Sequence, residues 1–155
     1  MELMLKTIHE HIGQETIITE WVFIDQMQVD IFGKVTRWFN QGHNDPDWAA
    51  EYSPHGGTLL HGFFMVSLVT HFLKIGGFYY KDGQNPLNYG IDKARILRPV
   101  LVRDGVRLRD RISVIDVKDK GRGRRLVKTS HHIETDEDDE RPAAYVEYLN
   151  FWHPL

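Results

Sequence analysis

The chain has 155 residues, a formal net charge of −3 with its histidines neutral, 41% apolar residues and 26% charged residues. This balance is typical of a globular protein with a full hydrophobic core, and one domain over residues 1–155 is expected. The two signs of charge are interspersed, which gives no signal for nucleic-acid binding. No cysteine is present, so disulfides, thiol chemistry and cysteine-ligated metals are excluded.

The apolar stretches do not indicate a membrane or secreted protein. The longest run, Leu59 to Leu73, is interrupted by two histidines, a serine and a threonine, and it is too short and too polar to span a bilayer. The first fifteen residues, MELMLKTIHEHIGQE, lack an apolar stretch long enough for a secretory signal. We therefore expect a soluble cytoplasmic protein that binds neither membrane nor nucleic acid.

The first quarter of the chain predicts one helix after a lead-in with two short apolar pieces. Asp25 and Gln28 have the spacing of a capping box, which predicts a helix that begins after Asp25 and ends near Thr36. The buried face of this helix is expected to carry Ile31, Phe32 and Val35. The polar and aromatic segment that follows, TRWFNQGHNDPDW, is typical of a loop.

Two further helices are predicted before residue 78. Asp45 is suited to an N-cap and Pro46 to a first turn, so DPDWAAEY predicts a short helix. After the loop SPHGG, the segment TLLHGFFMVSLVTHFLKIGG is apolar nearly all round, which predicts one buried helix that ends at Gly76 and Gly77.

From Leu87 onward the pattern changes to alternation of apolar and polar residues, which predicts about four long antiparallel strands. The acidic segment ETDEDDERP is expected to be a solvated hairpin loop between the last two of them. Helices followed by a run of strands indicate the α+β class. A long central helix wrapped by a curved antiparallel sheet is the hot-dog fold, and this is the predicted architecture.

Three separated blocks carry a resemblance to a known family: HNDPDWAAEYSPHGGTLLHGFFMVSL, NYGIDKARILRPV and PAAYVEYLNFW. They match, in order and spacing, the His-x-Asp-Pro, Ser-Pro-x-Gly-Gly-Thr and His-Gly pattern of the MaoC-like dehydratases. The chain most closely resembles their NodN-like branch, and the similarity covers nearly all of its residues. Such proteins resemble (R)-specific enoyl-CoA hydratases.

The resemblance implies a homodimer or a dimer of dimers, with active sites at the dimer interface. No metal or other cofactor is expected. In the family, an Asp and a His five positions apart hold and activate water, and an amide at the start of the central helix polarises the substrate carbonyl. By position, the His is His43 and the amide is that of Gly62. Trp38 stands at the Asp position, and Arg37 stands where the family has Gly.

The indole of Trp38 donates a hydrogen bond but does not titrate, so it cannot replace a carboxylate in acid–base catalysis. A missing acid or base typically costs ~10²–10⁴ in rate. Among possible replacements, Asp45 is better explained as an N-cap. His55 and His61 remain as candidates because histidine exchanges a proton near neutral pH. His61 is also consistent with a buried helix-start histidine that bonds to the backbone.

Five residues are therefore expected to contact the substrate: Trp38, His55, His61, Asn88 and Tyr89. The many aromatic residues near the site suit a ring-containing substrate, although most of them are expected in the core.

The expected function is that of a hydro-lyase on a β-hydroxy or α,β-unsaturated carbonyl compound. The sequence leaves open whether the substrate is a CoA thioester or a cyclic or aromatic ketone. An acyl-CoA thioesterase is an alternative on the same fold. A non-catalytic hot-dog subunit, paired with an active dehydratase, is an alternative from another class.

Overall fold

The computed structural model describes residues 3–137 and 141–155, and its centre is one antiparallel sheet of six strands. The strand order is β1-β4-β5-β6-β3, and β2 also pairs with β4. The strands are β1 (Glu15–Ile18), β2 (Val22–Ile24), β3 (Leu87–Ile96), β4 (Val106–Asp119), β5 (Arg125–Thr135) and β6 (Ala144–Trp152).

The four long strands are those that the alternating pattern predicts. The short strands β1 and β2 lie in the lead-in and were not predicted, because segments of four and three residues carry almost no periodic signal of their own. They form by pairing with β4. The predicted acidic hairpin loop between β5 and β6 includes residues 138–140, which lie outside the described residues.

The helices are α1 (Gln26–Val35), α2 (Gln41–Asn44), α3 (Pro46–Tyr52), α4 (Gly62–Ser67) and α5 (Val69–Ile75). The capping box of α1 is confirmed, since the Asp25 carboxylate accepts from the Gln28 backbone amide at 2.9 Å and the Gln28 side-chain oxygen accepts from the Asp25 backbone amide at 3.0 Å. The Asp45 cap of α3 is also confirmed, because its carboxylate accepts from the Trp48 amide at 2.9 Å.

The predicted buried face of α1 is correct in part for Phe32, which is half-buried and stacks on Phe64, but it is wrong for Ile31 and Val35. Val29 and Gly33 are the buried residues, whereas Ile31 is exposed and Val35 is 76% exposed. The reason is that α1 packs against α2 through its glycine. A Cβ on Gly33 would lie 2.9 Å from Oδ1 of Asn44, so this close approach turns the Ile31–Val35 stripe toward solvent.

The predicted central helix is present but interrupted, because the hydrogen-bond pattern changes at Leu68 between α4 and α5. The Leu68 amide donates to both Phe64 O and Met65 O at 3.2 Å, and the helical direction continues with a bond from the Phe72 amide to Leu68 O. Gly77 then ends the helix in a left-handed conformation, with φ of +69°.

One side of the central helix packs on the sheet and the other side does not, so the expectation of burial all round is wrong. Met65, Val69 and Phe72 are buried against the inward-facing residues of the sheet, whereas Phe63 is exposed. The open side of α4 and α5 therefore borders the cavities that are described below. Among residues 3–137 and 141–155, no helix has the length and apolar character needed to cross a membrane.

Candidate active site

His43 lies on α2, in a segment that the sequence predicts as a loop. The helix forms because Asn44, at its end, anchors it: the Asn44 amide donates to Asp30 Oδ1 at 2.9 Å and to Val29 O at 3.3 Å. Non-local contacts of this kind cannot be inferred from the local pattern, which explains why the loop prediction was wrong.

The ring of His43 is held in one orientation. Its Nδ1 lies 2.7 Å from the carbonyl oxygen of Leu59, which can only accept. Nδ1 must therefore carry the proton, and Nε2 is left with a free lone pair. A histidine fixed in this way can act as a base through Nε2.

A polar network of four residues lies next to His43: Gln26, Asp30, Asn44 and Thr58. Gln26 on α1 donates to the His43 carbonyl at 2.8 Å and to Asp30 Oδ1 at 2.9 Å, and its own oxygen accepts from the Thr58 hydroxyl at 2.6 Å. Gln26, Asp30 and Asn44 were not predicted as site residues. For Gln26 and Asp30 the sequence does carry a signal, because their spacing of four residues places both on one face of α1.

His61 precedes α4 and stacks on His43, with ring centroids 3.9 Å apart and an interplanar angle of 24°. It is only 4% exposed, and its Nε2 has no hydrogen-bond partner among the described residues. His61 is therefore buried as expected, but its Nε2 does not form the expected bond to the backbone. Burial, together with the neighbouring His43, lowers the pKa of His61 to about 4, although Asp30 opposes the shift.

These groups border a small cavity of about 240 Å³, which we call the histidine cavity. Its lining residues are Phe32, Thr36, Trp38, His43, His61, Gly62 and Phe63. Trp38 is 65% exposed and forms part of the wall. At Gly62 a Cβ would lie 2.7 Å from Ile96, so a larger residue there would displace a neighbour. The structure thus brings together four of the predicted site residues.

The other predicted site residues lie elsewhere. His55 is exposed on its turn and lines none of the described cavities. Asn88 and Tyr89, on β3, line a second cavity of about 550 Å³, which we call the middle cavity. Phe63 borders both the histidine cavity and the middle cavity, so the two adjoin at this residue.

A model of the MaoC like domain matches residues 7–137 of the chain. The chain belongs to the MaoC-like domain family. It is 32% identical to nodulation protein N of Rhizobium leguminosarum bv. viciae, over 96% of this chain and 90% of the relative. It is 33% identical to 3-hydroxyacyl-thioester dehydratase Z of Mycobacterium tuberculosis, over 90% and 87% of the two chains.

Solved structures give the same fold. A chain from Archaeoglobus fulgidus described as a monoamine oxidase regulatory protein aligns with a TM-score of 0.76 at 17% identity, over 99% of this chain and 96% of that one. An (R)-hydratase from A. caviae aligns with a TM-score of 0.63 at 19% identity, over 89% and 98%. The predicted hot-dog fold and the resemblance to MaoC-like and NodN-like proteins are both confirmed. The protein thus belongs to a family of MaoC-like dehydratases, in which the mycobacterial relative is a 3-hydroxyacyl-thioester dehydratase.

Proposed function

We propose that the protein interconverts a 3-hydroxyacyl thioester and the corresponding 2-enoyl thioester, with His43 as the catalytic base. The observation that carries this proposal is the bond between His43 Nδ1 and Leu59 O, which leaves Nε2 free beside the histidine cavity. The mycobacterial relative is a 3-hydroxyacyl-thioester dehydratase, and its activity supports the substrate class.

In the dehydration direction, Nε2 of His43 takes the proton from Cα of the substrate. The electron pair of that bond moves first toward the thioester oxygen, as an enolate, and then forms the Cα–Cβ double bond while the Cβ–oxygen bond breaks. The proton held by His43 passes to the leaving hydroxyl group, which departs as water. One histidine therefore moves the proton in both halves of the reaction.

The enolate oxygen needs a donor, and two groups are our candidates for this role. The Gly62 amide, at the start of α4, is one, as the resemblance implies. His61 is the second, because a pKa of about 4 keeps its ring neutral at pH 7 and a neutral imidazole N–H can polarise a carbonyl. We propose that His61 partly compensates for the carboxylate that Trp38 replaces.

The test is hydration of 2-enoyl thioesters of several chain lengths, followed by loss of the enone absorbance. His43→Ala should lower turnover by at least ~10² and leave the circular dichroism spectrum and the unfolding midpoint unchanged. His55→Ala is the matched control, since it removes an exposed histidine that lines none of the described cavities, and it should keep full activity. Equal turnover of His43→Ala and wild type would remove His43 from the mechanism.

A further inference from the structure

A third cavity, of about 290 Å³, lies near the C-terminal end of α5, and we call it the far cavity. Its polar lining residues include Thr70 and Lys74 of α5, Asn88 of β3, and Asn150 and Trp152 of β6. Among its lining residues, Lys74 is the one with a positively charged side chain. It shares Thr70, Asn88 and Tyr148 with the middle cavity. The three cavities therefore follow one another along the open side of α4 and α5.

Two buried donors in the lining of the far cavity have no partner. Asn150 Nδ2 and Trp152 Nε1 belong to side chains that are each 1% exposed, and neither atom forms a hydrogen bond within the described residues. A buried donor without an acceptor costs roughly 1–3 kcal/mol. The residues that line the far cavity thus include two whose donors lack an acceptor, and a ligand oxygen could supply it.

The middle cavity has a different character. Most of its lining side chains are apolar or aromatic, among them Phe63, Val66, Val69 and Ile91. In the histidine cavity, which adjoins the middle cavity at Phe63, the buried Nε2 of His61 also lacks a partner among the described residues. Unpartnered polar nitrogens thus lie at both ends of the series, with an apolar section between them.

We propose that the far cavity is a recognition site for the distal end of the acyl substrate, and that this end carries an oxygen function, best a carboxylate. The inference rests on the proposed function for the identity of the reacting end. The thioester lies at His43 and His61, the chain lies along the middle cavity, and the ω-carboxylate accepts from Asn150 and Trp152 beside Lys74. Lys74 is exposed and forms no ion pair within the described residues, so its charge is available to a ligand.

Tyr148 is compatible with an anion at this place. Its hydroxyl donates to Asn88 Oδ1 between the middle and far cavities. Burial raises the pKa of Tyr148 to about 12, so the phenol stays neutral at pH 7 and does not repel a carboxylate.

The experiment uses saturated N-acetylcysteamine thioesters, which bind but cannot react because they have neither a 3-hydroxyl group nor a double bond. Each ω-carboxylate thioester is paired with the ω-methyl thioester of equal length. Chains from roughly eight to roughly sixteen carbons are used, because the helix rises ~18 Å between Gly62 and Lys74. The readouts are the dissociation constant and the indole N–H resonance of Trp152, which is assigned with Trp152→Phe.

We expect at least a tenfold preference for the ω-carboxylate at the chain lengths that span the three cavities, and none at shorter lengths. The Trp152 resonance should move only with the preferred ligands. Lys74→Ala and Asn150→Asp should each reduce the preference, and Lys34→Ala, an exposed lysine on α1, should leave it unchanged. Because Lys74 is exposed, its variant tests the site even where Asn150→Asp fails to fold.

The inference would be overturned if both members of every pair bound with equal affinity and the Trp152 resonance did not move. The far cavity would then be a site for water and not for the substrate. Hydration of ω-methyl 2-enoyl thioesters that are longer than crotonyl, in the same range of chain lengths, reports separately on the proposed function. Normal hydration without an ω-carboxylate preference would overturn only the far-cavity site. A preference without any hydration would retain the site and overturn the proposed function, and failure of both kinds of thioester to bind would overturn both.

Discussion

Trp38 occupies the position where the resemblance implies a catalytic carboxylate, and its indole forms part of the wall of the histidine cavity. The preceding residue, Arg37, has φ of +60°, the left-handed conformation that favours the glycine found there in the family. The backbone therefore follows a path that glycine can also adopt. The indole would fill the space of the missing acid without its chemistry, and it would narrow the entrance to the cavity.

Trp38→Asp should restore an Asp and a His five positions apart, since His43 already has the required spacing. We expect little hydration of crotonyl-CoA by the wild type and a clear increase with Trp38→Asp, together with weaker activity on the native substrate. The assay is loss of enone absorbance, and Trp48→Asp is the control, since Trp48 does not line the histidine cavity. Efficient hydration of crotonyl-CoA by the wild type would contradict this account of Trp38.

The lowered pKa of His61 makes stability depend on pH. Between pH 6.5 and 4 the unfolded chain binds a proton at His61 that the folded chain does not, so stability falls as the pH falls through this window. Unfolding in urea should show a loss that is larger in the wild type than in His61→Gln, by up to ~3 kcal/mol between pH 7 and 4. Equal pH dependence of the two proteins would exclude a His61 that is kept neutral by burial.

Among the strands, β4 and β5 are joined by a buried polar pair. Asp110 Oδ2 lies 2.6 Å from His131 Nδ1, and both side chains are fully buried. His131 Nε2 lies 2.8 Å from the Thr129 hydroxyl, and the Asp110 amide and carbonyl both bond to Thr19, which lies between β1 and β2. The side-chain pair therefore links β4 to β5, and the backbone of Asp110 links β4 to the segment between the two short edge strands.

Removal of one partner should leave the other buried and unsatisfied. Asp110→Ala should lower the free energy of unfolding by about 3–5 kcal/mol. Glu134→Ala is the control, because Glu134 pairs with Arg109 and Arg111 at partly exposed positions, where a pair contributes ~0–1 kcal/mol. Both values come from urea denaturation, and a cost for Asp110→Ala no larger than that for Glu134→Ala would contradict the structural role of the pair.

At the scale of the whole molecule, β3 is an edge strand of ten residues that pairs only with β6 among the described residues. None of its positions is buried, and Leu87, Tyr89, Ile91 and Ile96 are exposed apolar residues. A long apolar edge of this kind is a template for pairing with a second copy. Its side chains also line the middle cavity, so such a partner would lie beside the substrate site.

We therefore expect two copies to pair through β3 as a two-fold dimer, and such dimers can pair further. Sedimentation at micromolar concentration should give at least twice the monomer mass of 18.1 kDa. Ile91→Lys should shift the protein toward the monomer, and Leu155→Lys, at an exposed apolar residue outside the strands, should not. A wild-type protein that sediments only as a monomer would end this proposal.

The sequence by itself determined the elements whose signals are local. The capping box of α1, the Asp45 cap of α3, the glycine stop after α5 and the four long strands follow from side-chain chemistry and periodicity within a few residues. The blocks around His43 and Gly62 determined the family in the same way. These features were predictable because each depends on neighbours along the chain.

Only the tertiary structure decided which face of α1 is buried, where the central helix is interrupted, and which polar residues support His43. The contacts responsible join distant residues: Asn44 with Asp30, and His43 with Leu59 and with His61. No local pattern encodes such pairs, because burial and hydrogen bonding depend on which elements pack together. For the same reason, the unpartnered Nε2 of His61 became visible only after the chain had folded around it.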